Sequence, residues 1–305
     1  MITPRKIHFR TLLAAGSVVA VSMLSACAVS SDSLDTFASF IAEAKQGQTD
    51  AAESVEQPHG ETMPVMQNEF VQLTASPMPA GTAIDISSDY PVPGEYFDFN
   101  HCTAAYSFTL VGGRSFAVTA SHCGKEGDIV WAGNQDGSFT FPADPVGTVV
   151  YSDLFAPGTR NLDVALIELN GLGIFDTPQT VDNTVATQLN ELPPEVCKLG
   201  RMTGITCGQV THQPALGRLN TGEHEVDSES ARAQVCARTG DSGGPVFAEI
   251  DGRSVIVGLV SGTSRLLEKG QSCDGVTDID LSFTSAIEIQ RLAEEILGPI
   301  DKYSV

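Results

Sequence analysis

From Phe97 onward the sequence consists of short apolar or alternating runs that are separated by Gly, Asn and Asp. Runs of this length with turn-forming residues between them predict antiparallel strands. Gly112-Gly113 and Asp251-Gly252 stand between neighbouring runs, where hairpin turns are expected. The candidate strands are 107–111, 115–120, 128–131, 138–141, 147–151, 162–169, 245–250 and 254–260. This pattern predicts an antiparallel barrel or sandwich.

Near the end of the chain the apolar residues recur at helical spacing instead. Ser285 and Glu288 form a capping-box pattern, and Gly298-Pro299 stops the run. The apolar stripe consists of Ile287, Ile289, Leu292, Ala293, Ile296 and Leu297. The sequence therefore predicts an all-β fold with one amphipathic C-terminal α-helix at 284–298.

The charge of the chain excludes one class of partner. Its 305 residues include 17 Lys and Arg against 38 Asp and Glu, for a formal net charge of -21. Nucleic-acid binding needs basic patches that neutralise phosphates, so nucleic acid is not an expected partner. A large net charge instead keeps a protein dispersed in solution.

The N-terminal residues have the pattern of an export signal. Residues 1–10 carry three basic side chains and no acid, and 11–26 are small or apolar and too few to span a bilayer comfortably. Leu24-Ser25-Ala26-Cys27 resembles the lipobox of bacterial lipoproteins, whose cysteine is lipidated; ordinary cleavage after Ala28 is the alternative. We expect 1–27 to be a signal peptide with Cys27 as a lipid anchor. The protein would then lie at the extracellular face of the cell membrane, or else be secreted.

Residues 28–95 differ in composition from the rest of the chain. They are rich in Ser, Ala, Gln, Glu and Pro and contain no cysteine, so we expect an acidic tether or prosegment before a folded domain at 96–305. Removal or lipidation of Cys27 leaves six of the seven cysteines. An even number outside the cytoplasm predicts disulfides, although spacing alone leaves their pairing open.

The hexapeptide Gly240-Asp241-Ser242-Gly243-Gly244-Pro245 carries the strongest chemical signal. A serine becomes an effective nucleophile when a base lies within hydrogen-bond distance and amide donors face the developing oxyanion. The neighbouring glycines allow a tight turn and close approach of a substrate carbonyl. We expect Ser242 to be the nucleophile, with the N–H groups of Gly240 and Ser242 as the oxyanion hole.

Candidates for the base and its partner lie upstream. His122 follows the apolar run 115–120, which would present its imidazole on a rigid scaffold. Asp163 is an acid at the head of the apolar run 162–169, where it could hold the histidine in the required tautomer. The other histidines form no cluster with cysteine at ligand spacing, so a metal is not expected. A reaction of these three side chains needs no cofactor.

With His122, Asp163 and Ser242 in this order, the sequence resembles chymotrypsin-family serine proteases, above all the bacterial branch of the streptogrisins and alpha-lytic protease. The likeness covers about 102–297. It implies a chymotrypsin-like double β-barrel, with barrels at 96–185 and 186–283 and then the helix at 284–298. It also implies a serine endopeptidase that cleaves proteins or peptides through an acyl-enzyme.

The resemblance implies further structural features. Asp241 should have a buried basic partner, for which Lys198 stands where those bacterial relatives have Arg, and Arg201 is a second candidate. A lysine supplies a point charge without the bidentate fork of a guanidinium. The implied disulfides are Cys102–Cys123, Cys197–Cys207 and Cys236–Cys273.

Substrate preference rests on fewer residues. Thr263 in place of a Gly would narrow the pocket, which favours a small or medium apolar side chain before the scissile bond. Asp278 or Asp280 at the pocket floor would instead favour a basic one. The substrate-binding residues that the resemblance implies are Gln234, Val235, Ser261, Gly262 and Thr263.

Two other functions are weighed against a protease. A catalytically silent surface binding module on the same fold would typically lack one of the three catalytic residues, and all three are present. A serine esterase of a different fold places a helix after Gly-x-Ser-x-Gly, whereas Pro245 and a strand-like run come next here.

Overall fold

The computed structural model describes residues 67–305 except 172, 174, 176–180, 221–224 and 268–270. The predicted signal peptide, Cys27 and the first part of the predicted tether lie outside these described residues. Within the described part of the chain, no helix has the length and apolar character that a membrane crossing requires.

The described residues form two curled, mainly antiparallel sheets. The first eight strands are β1 (Glu69–Leu73), β2 (Ala83–Ser87), β3 (Asn100–Thr103), β4 (Tyr106–Thr109), β5 (Ser115–Thr119), β6 (Ile129–Ala132), β7 (Gly147–Ser152) and β8 (Ala165–Leu169). The others are β9 (Thr184–Gln188), β10 (Glu195–Gly200), β11 (Gly204–Asn220), β12 (Glu225–Ala233), β13 (Pro245–Ile250), β14 (Arg253–Thr263), β15 (Leu281–Ser285) and β16 (Lys302–Ser304).

Strand order separates the molecule into an N-terminal and a C-terminal sheet. The first has the order β3-β2-β6-β7-β8-β5-β4, and the second has β13-β10-β11-β12-β15-β14-β9-β1-β16. Strand β13 also pairs with β14, which curls the second sheet back on itself. The second sheet encloses its own apolar core, which includes Val235, Val246 and Phe283.

The sheets begin earlier in the chain than the predicted boundary at residue 96. Strand β2 pairs with β3 and β6, and β1 pairs with β9, although both lie within the predicted tether or prosegment 28–95. Every residue of β2 is buried, including Asp85. The polar composition of 28–95 did not indicate this strand. Asp85 can lie inside the protein because it forms an ion pair with buried Arg201.

One predicted strand is absent. Residues 138–141 form no strand; Phe139 instead packs against Trp131, Phe97 and Phe99. The apolar character of this segment therefore reflects an aromatic cluster on a loop, which periodicity alone does not distinguish from a strand.

The C-terminal helix α1 (Ala286–Leu297) confirms the predicted all-β fold with one terminal helix. Ser285 Oγ accepts the Ile287 N–H at 3.2 Å as the N-cap. Glu288 forms ion pairs with Arg160 and Arg291, and the helix packs against β9, β14 and β15.

Candidate active site

Ser242 lies in a turn that is hydrogen-bonded to both sheets. Its carbonyl oxygen accepts the Thr103 N–H of β3 at 2.8 Å, and the next residue, Gly243, donates its N–H to Val260 of β14 at 2.8 Å. Thr103 Oγ1 also donates to the Gly240 carbonyl at 2.8 Å. The serine is thus fixed at the junction of the two sheets.

The backbone of this turn leaves two amide groups for a ligand. The N–H groups of Asp241, Gly243 and Gly244 donate to backbone carbonyls at 2.8–3.0 Å. Among the hydrogen bonds of the described residues, none has the N–H of Gly240 or Ser242 as donor. Gly240 has a φ of 100°, a backbone conformation that favours glycine. These two N–H groups are the predicted oxyanion donors.

Asp241 is completely buried beside the serine and surrounded by donors. Its carboxylate accepts the N–H groups of Met202 and Arg238 at 2.9 Å and of Thr203 at 3.1 Å. Lys198 Nζ, also completely buried, lies 3.2 Å from Asp241 Oδ2. The ion-pair partner that the resemblance implied is therefore within reach.

Arg201, the second candidate for this role, faces the other sheet. Its guanidinium donates to Asp85 Oδ1 at 2.5 Å and to the Ile84 carbonyl at 2.9 Å, both in β2. Arg201 therefore links the two sheets through a buried ion pair. The substitute pairing with Asp241 is not formed because Asp85 occupies this guanidinium.

His122 lies in a single 3-10 turn, Ser121–Cys123, directly after β5. Disulfide Cys102–Cys123 joins this turn to β3. Ser121 Oγ lies 2.6 Å from Ser152 Oγ and accepts the Leu154 N–H at 3.0 Å. These contacts fix the backbone that carries the imidazole.

Asp163 contacts His122 through both carboxylate oxygens. Oδ2 lies 2.8 Å from the imidazole Nδ1, and Oδ1 accepts the His122 backbone N–H at 3.0 Å. Asp163 is completely buried, whereas 22% of the His122 side chain is exposed. Burial lowers the pKa of His122, but the charge and hydrogen bond of Asp163 together outweigh it, so the pKa is raised above its ordinary 6.5.

Asp153 positions the segment that carries Asp163, and no sequence motif points to this role. Its buried carboxylate accepts the Leu162 N–H at 2.7 Å and the Tyr151 hydroxyl at 2.6 Å. Asn161 adopts a φ of 56°, which turns the chain towards Asp163. An isolated acid in an irregular segment is indistinguishable by sequence from a solvated one.

Ser242 and His122 line one cavity of about 610 Å³. No hydrogen bond between the described side chains joins Ser242 Oγ to His122, so the shared cavity is the observation that brings them together. In structures without substrate, catalytic hydrogen bonds are often long and tighten when substrate binds.

The predicted substrate-binding residues divide into two groups. Ser261, Gly262 and Thr263 of β14 line the cavity. Gln234 and Val235 are not among its lining residues: Gln234 is exposed and donates its N–H to Gln209, and Val235 is buried in the core of the second sheet.

The six described cysteines form the three disulfides Cys102–Cys123, Cys197–Cys207 and Cys236–Cys273. These are the pairs that the resemblance implied. The last one begins six residues before Ser242 and therefore restrains the chain that leads into the turn Gly240–Gly244, which carries the predicted nucleophile and is called the nucleophile turn below.

A family model described as Trypsin matches residues 98–284, more than half of the chain. The chain belongs to the trypsin family of serine endopeptidases. Its two curled sheets and C-terminal helix are the chymotrypsin-like double β-barrel. In this trypsin-family chain, the matched range contains His122, Asp163 and Ser242.

Curated relatives of this trypsin-family chain come from Streptomyces. Serine protease 2 of Streptomyces fradiae is 27% identical over 173 residues, which is 53% of this chain and 87% of the relative. Streptogrisin-D of Streptomyces griseus is 29% identical, covering 54% of this chain and 38% of the relative. Streptogrisin-C of the same organism is 31% identical, covering 52% of this chain and 32% of the relative. The chain thus spans well under half the length of these streptogrisins.

Solved structures with similarity to the trypsin-family chain include two bacterial proteases. Thermobifida fusca Protease A is 22% identical with a TM-score of 0.47, covering 74% of this chain and 98% of that one. Nocardiopsis protease is 22% identical with a TM-score of 0.45, covering 71% of this chain and 95% of that one.

Proposed function

We propose that this trypsin-family chain is an exported serine endopeptidase whose catalytic residues are Ser242, His122 and Asp163. The observation that carries the proposal is the 2.8 Å contact between His122 Nδ1 and the buried Asp163 carboxylate, made by a histidine that lines the same cavity as Ser242. A carboxylate on Nδ1 leaves Nε2 as the nitrogen that exchanges a proton with the serine.

The proposed reaction is built on these positions. Ser242 Oγ attacks the carbonyl carbon of the peptide bond, and its proton passes to His122 Nε2. Asp163 stabilises the imidazolium that forms. The tetrahedral oxyanion accepts hydrogen bonds from the N–H groups of Gly240 and Ser242, each contributing about 10²- to 10³-fold in rate.

The second half of the reaction uses the same residues. His122 returns the proton to the departing amine, which leaves an ester between Ser242 and the substrate. Water then loses a proton to His122 and hydrolyses this ester, which restores the free serine. The proposal requires neither a metal nor another cofactor.

Export is part of the proposal because three disulfides form in oxidising compartments and the N-terminal residues have a signal pattern. We further propose that cleavage before Cys27 makes this residue the mature N-terminus, and that lipidated Cys27 anchors the protein at the outer face of the cell membrane. Mass spectrometry of the exported N-terminus would detect a diacylglyceryl group on Cys27. A free N-terminus at another residue would refute the anchor.

The protease proposal is tested with the exported full chain. A fluorophosphonate probe should label Ser242, and a peptide library should be cleaved at internal bonds. Ser242→Ala should abolish both signals. A folded wild-type protein that neither takes the probe nor cleaves any peptide would instead be the silent binding module.

A further inference from the structure

The cavity beside Ser242 is basic, although the whole chain has a formal net charge of -21. Among the residues that the structure describes, four arginines line it, and Asp280 is the one acid. The four are Arg218, Arg232, Arg238 and Arg265. Lining of one charge sign concentrates ligands of the opposite sign, so this cavity attracts anions.

Two of these arginines already have carboxylate partners. Arg218 lies 3.1 Å from Glu225 and 3.0 Å from Asp227, and Arg265 lies 2.5 Å from Asp278. Their charges are therefore compensated within the protein. Asp278, which was predicted to favour a basic substrate residue from the pocket floor, is not among the described lining residues.

The other two arginines carry uncompensated charge. Among the described residues, no carboxylate lies within 4.0 Å of the guanidinium of Arg232 or Arg238, and Asp280 forms no ion pair with either. Both side chains are partly buried. A partly desolvated guanidinium without a protein partner is suited to bind a carboxylate from a ligand.

Arg232 lies two strands away from Gly262, which is one of the predicted substrate-binding residues. It pairs with Ser282 of β15, and Ser282 pairs with Gly262 of β14, so the three residues form one row across adjacent strands. All three line the cavity. At about 4.8 Å per strand, the Cα atoms at the two ends are about 10 Å apart. An arginine and a glutamate side chain together span such a gap.

We propose that this cavity binds an acidic substrate residue immediately before the scissile bond, and that Arg232 donates hydrogen bonds to its carboxylate. Arg238 adds positive charge near the nucleophile turn. Buried Val260 and Leu219 line the same cavity and would contact the aliphatic part of a glutamate. This inference rests on the proposed protease function and replaces the apolar preference that Thr263 suggested.

The inference is tested with the exported wild-type protein and a set of matched peptides. The peptides differ only at the residue before the scissile bond. Glu, Gln, Leu and Lys are compared at that position. Because a hydrogen bond to a charged group contributes more than one to a neutral group, kcat/KM for Glu should exceed that for Gln by about 10- to 100-fold. Equal or faster cleavage after Gln, Leu or Lys would overturn the inference.

Single variants then assign the preference to a residue. Arg232→Gln should reduce the Glu-to-Gln ratio of kcat/KM by about 10-fold or more, and Arg238→Gln should reduce it less. Arg253→Gln removes the same charge from an exposed position at the start of β14 and should leave the ratio unchanged. A ratio that Arg232→Gln does not change would refute the role of this arginine.

Fluorophosphonate labelling separates failure of this inference from failure of the proposed function. The probe reports on Ser242 without a peptide side chain in the cavity. Labelling together with cleavage after non-acidic residues rejects the acidic preference and keeps the protease. Absence of both labelling and cleavage rejects the protease itself.

Discussion

Lys198 Nζ lies 3.2 Å from Asp241 Oδ2, and both side chains are completely buried. Burial lowers the pKa of Lys198, and the charge and hydrogen bond of Asp241 only partly offset this effect. Because Asp241 directly precedes Ser242, the pair supports the turn that carries the proposed nucleophile and the proposed oxyanion donors.

Lys198→Met should destabilise the protein by about 3–5 kcal/mol, because it leaves the Asp241 carboxylate buried without a cation. Urea unfolding measures this change, and the rate of Ser242 labelling should fall with it. Lys125→Met is the matched control at an exposed position and should change stability by about 0.5 kcal/mol or less. Equal effects of the two substitutions would contradict the role given to the buried pair.

The sequence predicted those parts of the site that depend on local motifs. The hexapeptide around Ser242, the histidine after β5 and the helix capped by Ser285 each have a signal in neighbouring residues, so short motifs indicate them, although Thr103 and Val260 hold the Ser242 turn from far along the chain. The family resemblance supplied the disulfide pairs, which spacing left open.

Long-range contacts account for what the sequence did not predict. Asp85 pairs with Arg201, which is 116 residues away, and this pairing permits an acid inside buried β2. Arg232 becomes a cavity residue through the register of β12 and β15, which hydrophobic patterning does not specify. Asp153 acts through hydrogen bonds to a loop, and no periodic pattern in the sequence predicts such contacts.

The pH profile of kcat/KM should show its acidic limb above pH 6.5. In the proposed mechanism, His122 accepts a proton from Ser242 only when its imidazole is neutral, and Asp163 raises the pKa of this imidazole above 6.5. The stabilising imidazolium–carboxylate interaction is correspondingly complete below pH 6.5 and is lost as pH rises through the folded-state pKa. Peptide cleavage between about pH 4 and 9 measures the limb; a midpoint below 6.5 would contradict this assignment.

Asp163→Asn should lower the pKa of His122, because burial then acts without the opposing carboxylate. NMR titration of His122 in Ser242→Ala and in Ser242→Ala/Asp163→Asn proteins compares the two pKa values without self-cleavage. With Ser242 intact, Asp163→Asn should reduce kcat by about 10⁴-fold. An unchanged His122 titration would show that Asp163 does not control this imidazole.

Arg160 should stabilise the catalytic segment through α1. Its guanidinium donates to Glu288 at 2.7 Å, which joins the segment leading to Asp163 to the C-terminal helix. Arg160→Gln should lower the free energy of unfolding by about 1 kcal/mol and slow Ser242 labelling, because a partly buried ion pair is lost. Arg291→Gln removes the other cation paired with Glu288, but only within the helix, and should cost less than about 0.5 kcal/mol. If both variants slowed Ser242 labelling equally, the contact between Arg160 and Glu288 would have no special role in stabilising the segment that carries Asp163.

Gly243→Ala should disrupt the nucleophile turn more than a glycine substitution in an ordinary hairpin. Gly243 has a φ of 80°, and an added Cβ would overlap the Thr103 carbonyl and Thr119 Oγ1. Gly252 has a φ of 74°, but an added Cβ there meets no atom within 4 Å. Gly252→Ala should therefore cost about 1–2 kcal/mol from backbone strain alone.

The difference between these variants isolates the effect of close packing. Gly243→Ala should lower the free energy of unfolding by about 1–3 kcal/mol more than Gly252→Ala does, because the backbone around β3 must move to admit the methyl group. Since the Thr103 N–H holds the Ser242 carbonyl at 2.8 Å, that movement displaces the nucleophile. Ser242 labelling should fall in Gly243→Ala and persist in Gly252→Ala. Equal stability and equal labelling in the two variants would mean that the contact between β3 and the nucleophile turn does not fix the position of Ser242.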